Sequence, residues 1–188
     1  MTSEWYVSFH GGDEKETLNN IHVYSNDGRE LRKALNTKSL AVGVTLRELR
    51  GFVFGPDQNL YVVNSHYEYS EVLKFKGALN NDGQHDFVGI FVKRDSVSNP
   101  GISHPFNAVF DSEGDLYVSS QDTSLVSRYY GPTSKVGNPG TPIASATFPQ
   151  RVQRNTAGDL YSVEEALVSG PSSSQGSHFC IGWRSLCR

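Results

Sequence analysis

A strand–turn–strand motif occurs three times in this chain of 188 residues, and it constrains the fold more than any other feature. The clearest copy, residues 106–120, reads FNAVFDSEGDLYVSS, and residues 51–65 repeat it without a gap as GFVFGPDQNLYVVNS. A third copy, residues 151–165, keeps Gly-Asp-Leu-Tyr but has polar residues in place of apolar ones. Each copy joins two strand-like runs through a short polar turn, which predicts a β-hairpin. The chain is therefore predicted to be all-β.

The copies recur at intervals around the range expected of β-propeller blades. Leu60 and Leu116 are 56 residues apart, and Leu116 and Leu160 are 44 residues apart. Propeller repeats have periods of roughly 40–50 residues, each folded as four antiparallel strands. The pattern predicts an incomplete propeller over residues 1–167, with about three to four blades and an unclosed ring. The predicted four-stranded antiparallel blades are residues 1–45, 46–95, 102–145 and 146–167.

Individual strands follow from the apolar runs between turn residues. The first unit is predicted to have three strands, at residues 5–10, 21–24 and 31–35. The second has four, at residues 51–54, 60–64, 71–75 and 87–92, and the third has three, at residues 106–110, 116–120 and 125–130. Asp27-Gly28 predicts a tight hairpin turn with positive φ at both central residues.

The last copy fades near Leu167. The following residues include the low-complexity run GPSSSQGS, so residues 168–188 are predicted to be a flexible tail. Both cysteines, Cys180 and Cys187, lie there and would not staple the folded part. Joining the N-terminal strands to the C-terminal hairpin would close only about three blades, too few for a ring, which predicts a truncated propeller that self-associates through exposed blade edges.

Charge and hydropathy exclude two classes of partner. The net charge is −3 without any basic block, so nucleic-acid binding has no electrostatic source. No apolar run approaches the roughly 20 residues that span a bilayer, and the first residues do not form a secretory signal. The expected location is the cytoplasm, with no membrane partner.

The pattern Gly-Pro-Asp-x-Asn-Leu-Tyr-Val at residues 55–62 is followed by Val-Leu-Lys-Phe at 72–75, with Val-Ser-Arg-Tyr at the matching positions 126–129. This pattern resembles the blades of NHL-repeat proteins and of the regucalcin/gluconolactonase-like superfamily, over roughly residues 5–165. The resemblance implies a propeller that binds a protein or a small molecule on its loop face. It implies no single activity, because such folds carry many functions.

Candidate site residues lie at the ends of the repeated strands. In the gluconolactonase-like enzymes that this chain resembles, an asparagine at the start of a first strand helps to hold a divalent metal, and Asn107 occupies that place. The equivalent Gly51 and Arg151 are not metal ligands. A second set follows the second strand of each copy: Asn64, His66, Ser120, Asp122 and Glu164. These side chains fit a small polar ligand or acid–base chemistry at a channel mouth, and they equally fit turn hydrogen bonds.

Catalytic motifs of other classes are absent from the sequence, including Gly-x-Ser-x-Gly and the P-loop. The six histidines are scattered singly without metal-type spacing, which is typical of surface or strand residues. The favoured function is a non-catalytic binding scaffold without a cofactor. The alternative is the remnant of a lactonase-like hydrolase, in which calcium or zinc polarises an ester carbonyl and Asn107 and Asp122 survive. A third possibility is a product without a selected activity.

Overall fold

A computed structural model describes residues 3–11, 18–143 and 148–149, and the described residues form twelve β-strands and one short 3-10 helix at Thr37–Ser39. The strands are β1 (Glu4–Ser8), β2 (Ile21–Ser25), β3 (Glu30–Lys33), β4 (Leu35–Asn36), β5 (Leu49–Phe54), β6 (Leu60–Asn64), β7 (Glu71–Leu79), β8 (His85–Lys93), β9 (Pro105–Phe110), β10 (Leu116–Ser120), β11 (Leu125–Tyr129) and β12 (Phe148–Pro149). The all-β prediction is confirmed. Within these residues, no helix has the length and apolar character needed to cross a membrane.

The strands form three sheets, with orders β1-β2-β3, β4-β8-β7-β6-β5 and β12-β11-β10-β9. Consecutive strands pair in antiparallel orientation from β1 to β3, from β5 to β8 and from β9 to β12. Phe148–Pro149, assigned by sequence to the fourth unit, pairs with β11 of the third sheet. The rest of the predicted fourth unit and the predicted tail lie outside the described residues.

The second sheet corrects the prediction of four antiparallel strands, because it contains a fifth strand in parallel orientation. Strand β4 leaves the first sheet and pairs in parallel with β8, placing Leu35 opposite His85. The Leu35 side chain is only 1% exposed. Leu35 belongs to the core between the first and second sheets, and its burial there stabilises this position of β4, since removing an apolar side chain from water is favourable.

Strand β6 lies at the centre of the fold and is buried on both faces. Because side chains alternate along a strand, its odd and even residues enter different cores. Leu60 and Val62 pack against the first sheet, in a core completed mainly by Ile21, Val23, Leu35, Leu49, Leu73 and Phe75. Tyr61 and Val63 pack toward the third sheet, in a core completed mainly by Val72, Val92, Ile102, Ala108, Leu116, Val118 and Tyr129.

Four hairpin turns share one backbone hydrogen-bond pattern. The carbonyl of the first residue accepts from the amide three positions later, and the amide of the first residue donates to the carbonyl four positions later. They span residues 25–29, 55–59, 80–84 and 111–115. The fourth residue of each has positive φ, at 82° for Gly28, 62° for Gln58, 72° for Gly83 and 89° for Gly114. This is the three-residue hairpin loop that ends in a glycine-type bulge. The prediction of positive φ at both Asp27 and Gly28 is therefore wrong, since only Gly28 adopts it.

Strands β1, β5 and β9 each form one edge of their sheet and lie side by side, with β5 in contact with both β1 and β9. The Ser8 hydroxyl donates to the Arg50 carbonyl, and the Ser65 hydroxyl donates to the Pro105 carbonyl. A Cβ atom on Gly51 would lie 2.9 Å from the Asn107 Cα, so the two backbones approach as closely as glycine allows. Residues that are far apart in sequence therefore meet at the start of β5 and β9.

Candidate functional site

A cleft of about 450 Å³ opens where β1, β5 and β9 meet, and it is called the inner-strand cleft below. Its lining combines residues from the three sheets and from the segments that flank β1 and β10: Ser8, His10, Leu49, Arg50, Gly51, Phe106, Asn107 and Gln121. Leu49 and Phe106 supply apolar surface, and Arg50 is the permanently charged residue of this lining. Polar groups that converge on a partly apolar wall are typical of small-molecule sites.

Arg50 is deeply placed for an arginine, with a side chain that is only 12% exposed. Its Cζ lies 4.8 Å from the centre of the Phe106 ring, and its Nη1 donates to Gln121 Oε1 at 2.9 Å. Its Nε is buried and has no hydrogen-bond partner within the described parts of the chain. Burial lowers the pKa of Arg50, and the charges of Glu48 and Asp122 oppose that shift. The guanidinium is thus partly desolvated and incompletely paired.

His10, Glu48 and His104 lie around the Nη2 atom of Arg50, and these three residues are called the His–Glu–His group. The Nε2 atoms of His10 and His104 lie 3.3 Å and 3.1 Å from Glu48 Oε2. All three potential ligand atoms lie within 4.8 Å of one another. Arg50 Nη2 is 3.3 Å from the His10 Nε2, 2.9 Å from the His104 Nε2 and 4.0 Å from Glu48 Oε2. One terminal nitrogen of the guanidinium therefore lies within 4.0 Å of all three ligand atoms.

Glu48 and His104 occupy equivalent positions of the repeat, 56 residues apart like Leu60 and Leu116. Both have a left-handed backbone, with φ of 51° and 49°. The Glu48 carbonyl accepts from the Ser65 amide, and the His104 carbonyl accepts from the equivalent Gln121 amide. Left-handed non-glycine residues cost about 1–3 kcal/mol each and cluster at functional sites. Here the strained backbone directs both side chains to the same point.

Asp122 is the member of the predicted set that borders this group. Its Oδ1 lies 3.4 Å from the His104 Nδ1, and its Oδ2 accepts from the Ser103 hydroxyl at 3.3 Å. The carboxylate of Asp122 thus lies on the Nδ1 side of the ring, while the Nε2 atom of His104 faces Glu48 and Arg50. Asp122 is thereby placed to orient His104.

Asn64 and Ser120 point into the protein. Asn64 is fully buried, and its side chain accepts from the Arg47 amide and donates to Thr45 and Glu71. The Ser120 hydroxyl accepts from the Ser103 amide at 3.4 Å. Both patterns match the alternative in which these residues serve turn hydrogen bonds.

The other predicted residues have different surroundings. His66 is buried, its ring lies 4.3 Å from the Tyr67 ring, and its Nδ1 accepts from the Glu68 amide. Asn107 lines the inner-strand cleft, but its Oδ1 accepts from the Ala108 amide at 2.9 Å and is not part of the His–Glu–His group. Glu164 lies outside the described residues.

The Glu71 carboxyl, which accepts from Asn64, predicts a pH effect on stability. Burial raises the pKa of Glu71, while the Asn64 hydrogen bond and the Lys93 charge oppose the shift. The folded chain thus keeps a proton that the unfolded chain releases near its ordinary pKa of about 4.3, so stability falls as pH rises from there through the raised value. Glu71→Gln keeps an acceptor for Asn64 and should show a smaller fall. Urea midpoints at pH 4.5 and 7 test this, and equal falls would contradict it.

The sequence did not single out His10, Glu48, Arg50 or His104 as one site. Metal-type spacing within one segment does not detect this group, because His10, Glu48 and His104 come from three separate segments. A usable signal existed, since aligning the repeats on Leu60 and Leu116 places Glu48 and His104 at the same position.

Comparison with known proteins adds no family. No protein-family model matches the chain, and a search of curated proteins finds no match. The geometry of the inner-strand cleft is consequently the basis for a functional proposal.

Proposed function

We propose that the three sheets are successive blades of a β-propeller-like binding scaffold of the NHL or regucalcin type, with the inner-strand cleft as its ligand site. Two features support this proposal. The first strands of the three sheets are adjacent, and repeat-equivalent residues such as Glu48 and His104 converge. In a propeller, first strands line a central channel, so that equivalent positions meet.

The ligand is proposed to be a small molecule with a carboxylate and a compact apolar body. The observation that carries this is the buried, incompletely paired guanidinium of Arg50 in the wall of an open cleft. Its closest approach to Glu48 is 4.0 Å, too far for a hydrogen bond. A carboxylate binds a guanidinium through parallel hydrogen bonds, which are stronger than those between neutral groups. Leu49 and Phe106 suit the apolar part of such a ligand.

Benzoate is a suitable probe, with benzamide as its uncharged counterpart of the same shape. Wild-type protein freed of metal is expected to bind benzoate more tightly than benzamide. Arg50→Met should weaken benzoate binding by about tenfold, the loss of roughly one charged hydrogen-bonded pair, while leaving benzamide unchanged. Ligand-observed NMR titration measures both affinities.

Two further variants serve as controls. Arg29 is exposed and does not line the inner-strand cleft, so Arg29→Met removes the same charge and should leave benzoate binding unaltered. Arg50→Lys keeps the charge but loses the planar fork, and should bind with intermediate affinity. Circular dichroism confirms that each variant folds. Equal affinities for benzoate and benzamide, or no effect of Arg50→Met, would contradict the proposal.

Metal-dependent lactonase-like hydrolysis remains the second candidate function, and the His–Glu–His group is the observation in its favour. The residues that would hold the ion are then His10, Glu48 and His104 in place of Asn107. A protein partner on the loop face and self-association through sheet edges stay predictions.

A further inference from the structure

We infer that the His–Glu–His group is a binding site for a zinc-type divalent ion, and that the Arg50 guanidinium is a built-in competitor that occupies the same place. This inference goes beyond the proposed carboxylate site and does not depend on it. It concerns three ligand residues that become a site only through the folding of β1, β5 and β9 around one point.

The donor atoms favour zinc over calcium. Two imidazole nitrogens and one carboxylate oxygen form a set typical of zinc sites that keep an open fourth position. Calcium instead takes six to eight oxygen ligands, which this group does not offer. Zinc bonds of about 2.0–2.1 Å in tetrahedral geometry place the ligand atoms roughly 3.3 Å apart. The observed separations of Glu48 Oε2 from the two Nε2 atoms, 3.3 Å and 3.1 Å, already match that geometry.

The surroundings of His104 also fit a metal ligand. Asp122 Oδ1 lies 3.4 Å from the His104 Nδ1, on the side of the ring opposite the group. A histidine that binds an ion through Nε2 carries its ring proton on Nδ1, and a carboxylate beside Nδ1 accepts that proton and orients the ring. The Ser103 hydroxyl in turn donates to Asp122, at 3.3 Å. Asp122 is therefore placed to support His104 as a metal ligand.

Arg50 prevents the ion from entering while it remains in its present position. Its Nη2 lies 2.9 Å, 3.3 Å and 4.0 Å from the His104, His10 and Glu48 ligand atoms, so it contacts the same imidazole nitrogens that an ion would bind. The guanidinium and a divalent ion, both positively charged and only a few Å apart, also repel each other. Because Arg50 lines an open cleft, its side chain has a route outward. Ion binding and the inward position of Arg50 exclude each other.

The test measures zinc affinity in the full chain, stripped with a chelator, by competition against a chromophoric chelator. Arg50→Met removes the competing charge and retains an unbranched side chain. It should bind zinc at least about tenfold more tightly than the wild type, because the repulsion and the occupied volume are both removed. Arg29→Met changes the net charge equally and should bind like the wild type. An unchanged or weaker affinity of Arg50→Met would overturn the inference.

The ligand assignment is tested in the Arg50→Met background. Glu48→Gln and His104→Gln should each weaken zinc binding at least about tenfold, and Asp122→Asn, which acts through the His104 ring, should weaken it by about 10–100-fold. Glu68→Gln alters an exposed carboxylate outside the group and serves as the control. Cobalt substitution should give the intense visible absorption of a tetrahedral site in Arg50→Met and lose it in Glu48→Gln.

Zinc affinity that survives both Glu48→Gln and His104→Gln would place the ion elsewhere and overturn the inference. Circular dichroism and thermal melting without metal separate a lost ligand from a lost fold. Benzoate binding is measured on the wild type and zinc binding on Arg50→Met, so a failure of one proposal is distinguishable from a failure of the other.

Discussion

Replacing Gly131 by alanine should lower the free energy of unfolding by about 3 kcal/mol, at the upper end of the usual range for overpacking. A Cβ atom at this position would lie 1.6 Å from the Gly114 carbonyl oxygen, far inside any real contact. Neither partner can yield easily. The Gly131 amide donates to Asp115 Oδ1 at 3.0 Å, and Gly114 holds the positive φ of its hairpin turn. The substitution therefore forces the turn away from β11.

The same prediction applies to the equivalent glycine of the second sheet. A Cβ on Gly77 would lie 1.7 Å from the Gln58 carbonyl oxygen, and the Gly77 amide donates to Asn59 Oδ1 at 3.1 Å. Gly89→Ala is the matched control, since nothing lies within 4 Å of its added Cβ. Urea unfolding should show a large loss for Gly77→Ala and Gly131→Ala and a change within about 0.5 kcal/mol for Gly89→Ala. Wild-type stability of Gly131→Ala would refute this close contact.

Phe75→Ala should lower the free energy of unfolding by about 3–5 kcal/mol, the range measured for large aromatic truncations in cores. The Phe75 side chain is fully buried between the first and second sheets. Its ring meets the Phe87 ring at a centroid distance of 5.5 Å and an angle of 72°, a favourable edge-to-face arrangement. Truncation removes the transfer free energy of the ring and leaves a cavity beneath both sheets.

Phe54→Ala separates this core effect from the loss of any phenylalanine. Phe54 is 50% exposed at the end of β5, so its truncation should cost about 1 kcal/mol or less. Chemical denaturation of both variants gives the comparison. Equal losses at the two positions would show that the first and second sheets do not enclose Phe75 as described.

The repeated hairpins could be predicted from sequence because their determinants are local. Strands β6 and β10 have the predicted bounds, since alternating apolar residues and the turns before them lie within one short window. Strand β4 could not be predicted in the same way. Its two residues pair with His85 and Asp86, 50 residues later, and two residues carry no detectable periodicity.

The site was predicted less completely, for a physical reason. Asp122 is a predicted site residue and lies beside His104. Asn64 is predicted on equal grounds, but its side chain forms turn hydrogen bonds in the interior. Strand-end polar residues look alike in sequence whether they face a cleft or a turn. Glu48 and Arg50 are not among the predicted residues. The position of the Glu48 side chain depends on a left-handed backbone, and the surroundings of both residues depend on the approach of β9, which no single segment of sequence encodes.

Strands β5 and β9, from different sheets, meet so that repeat-equivalent residues converge on one site. The most direct measurement is an edited NOESY spectrum of the isotope-labelled wild-type chain. A Cβ built on Gly51 lies 2.9 Å from the Asn107 Cα, so at least one Gly51 Hα proton should give a cross-peak to the Asn107 Hα. The absence of that cross-peak from a fully assigned spectrum would contradict the convergence and the site built on it.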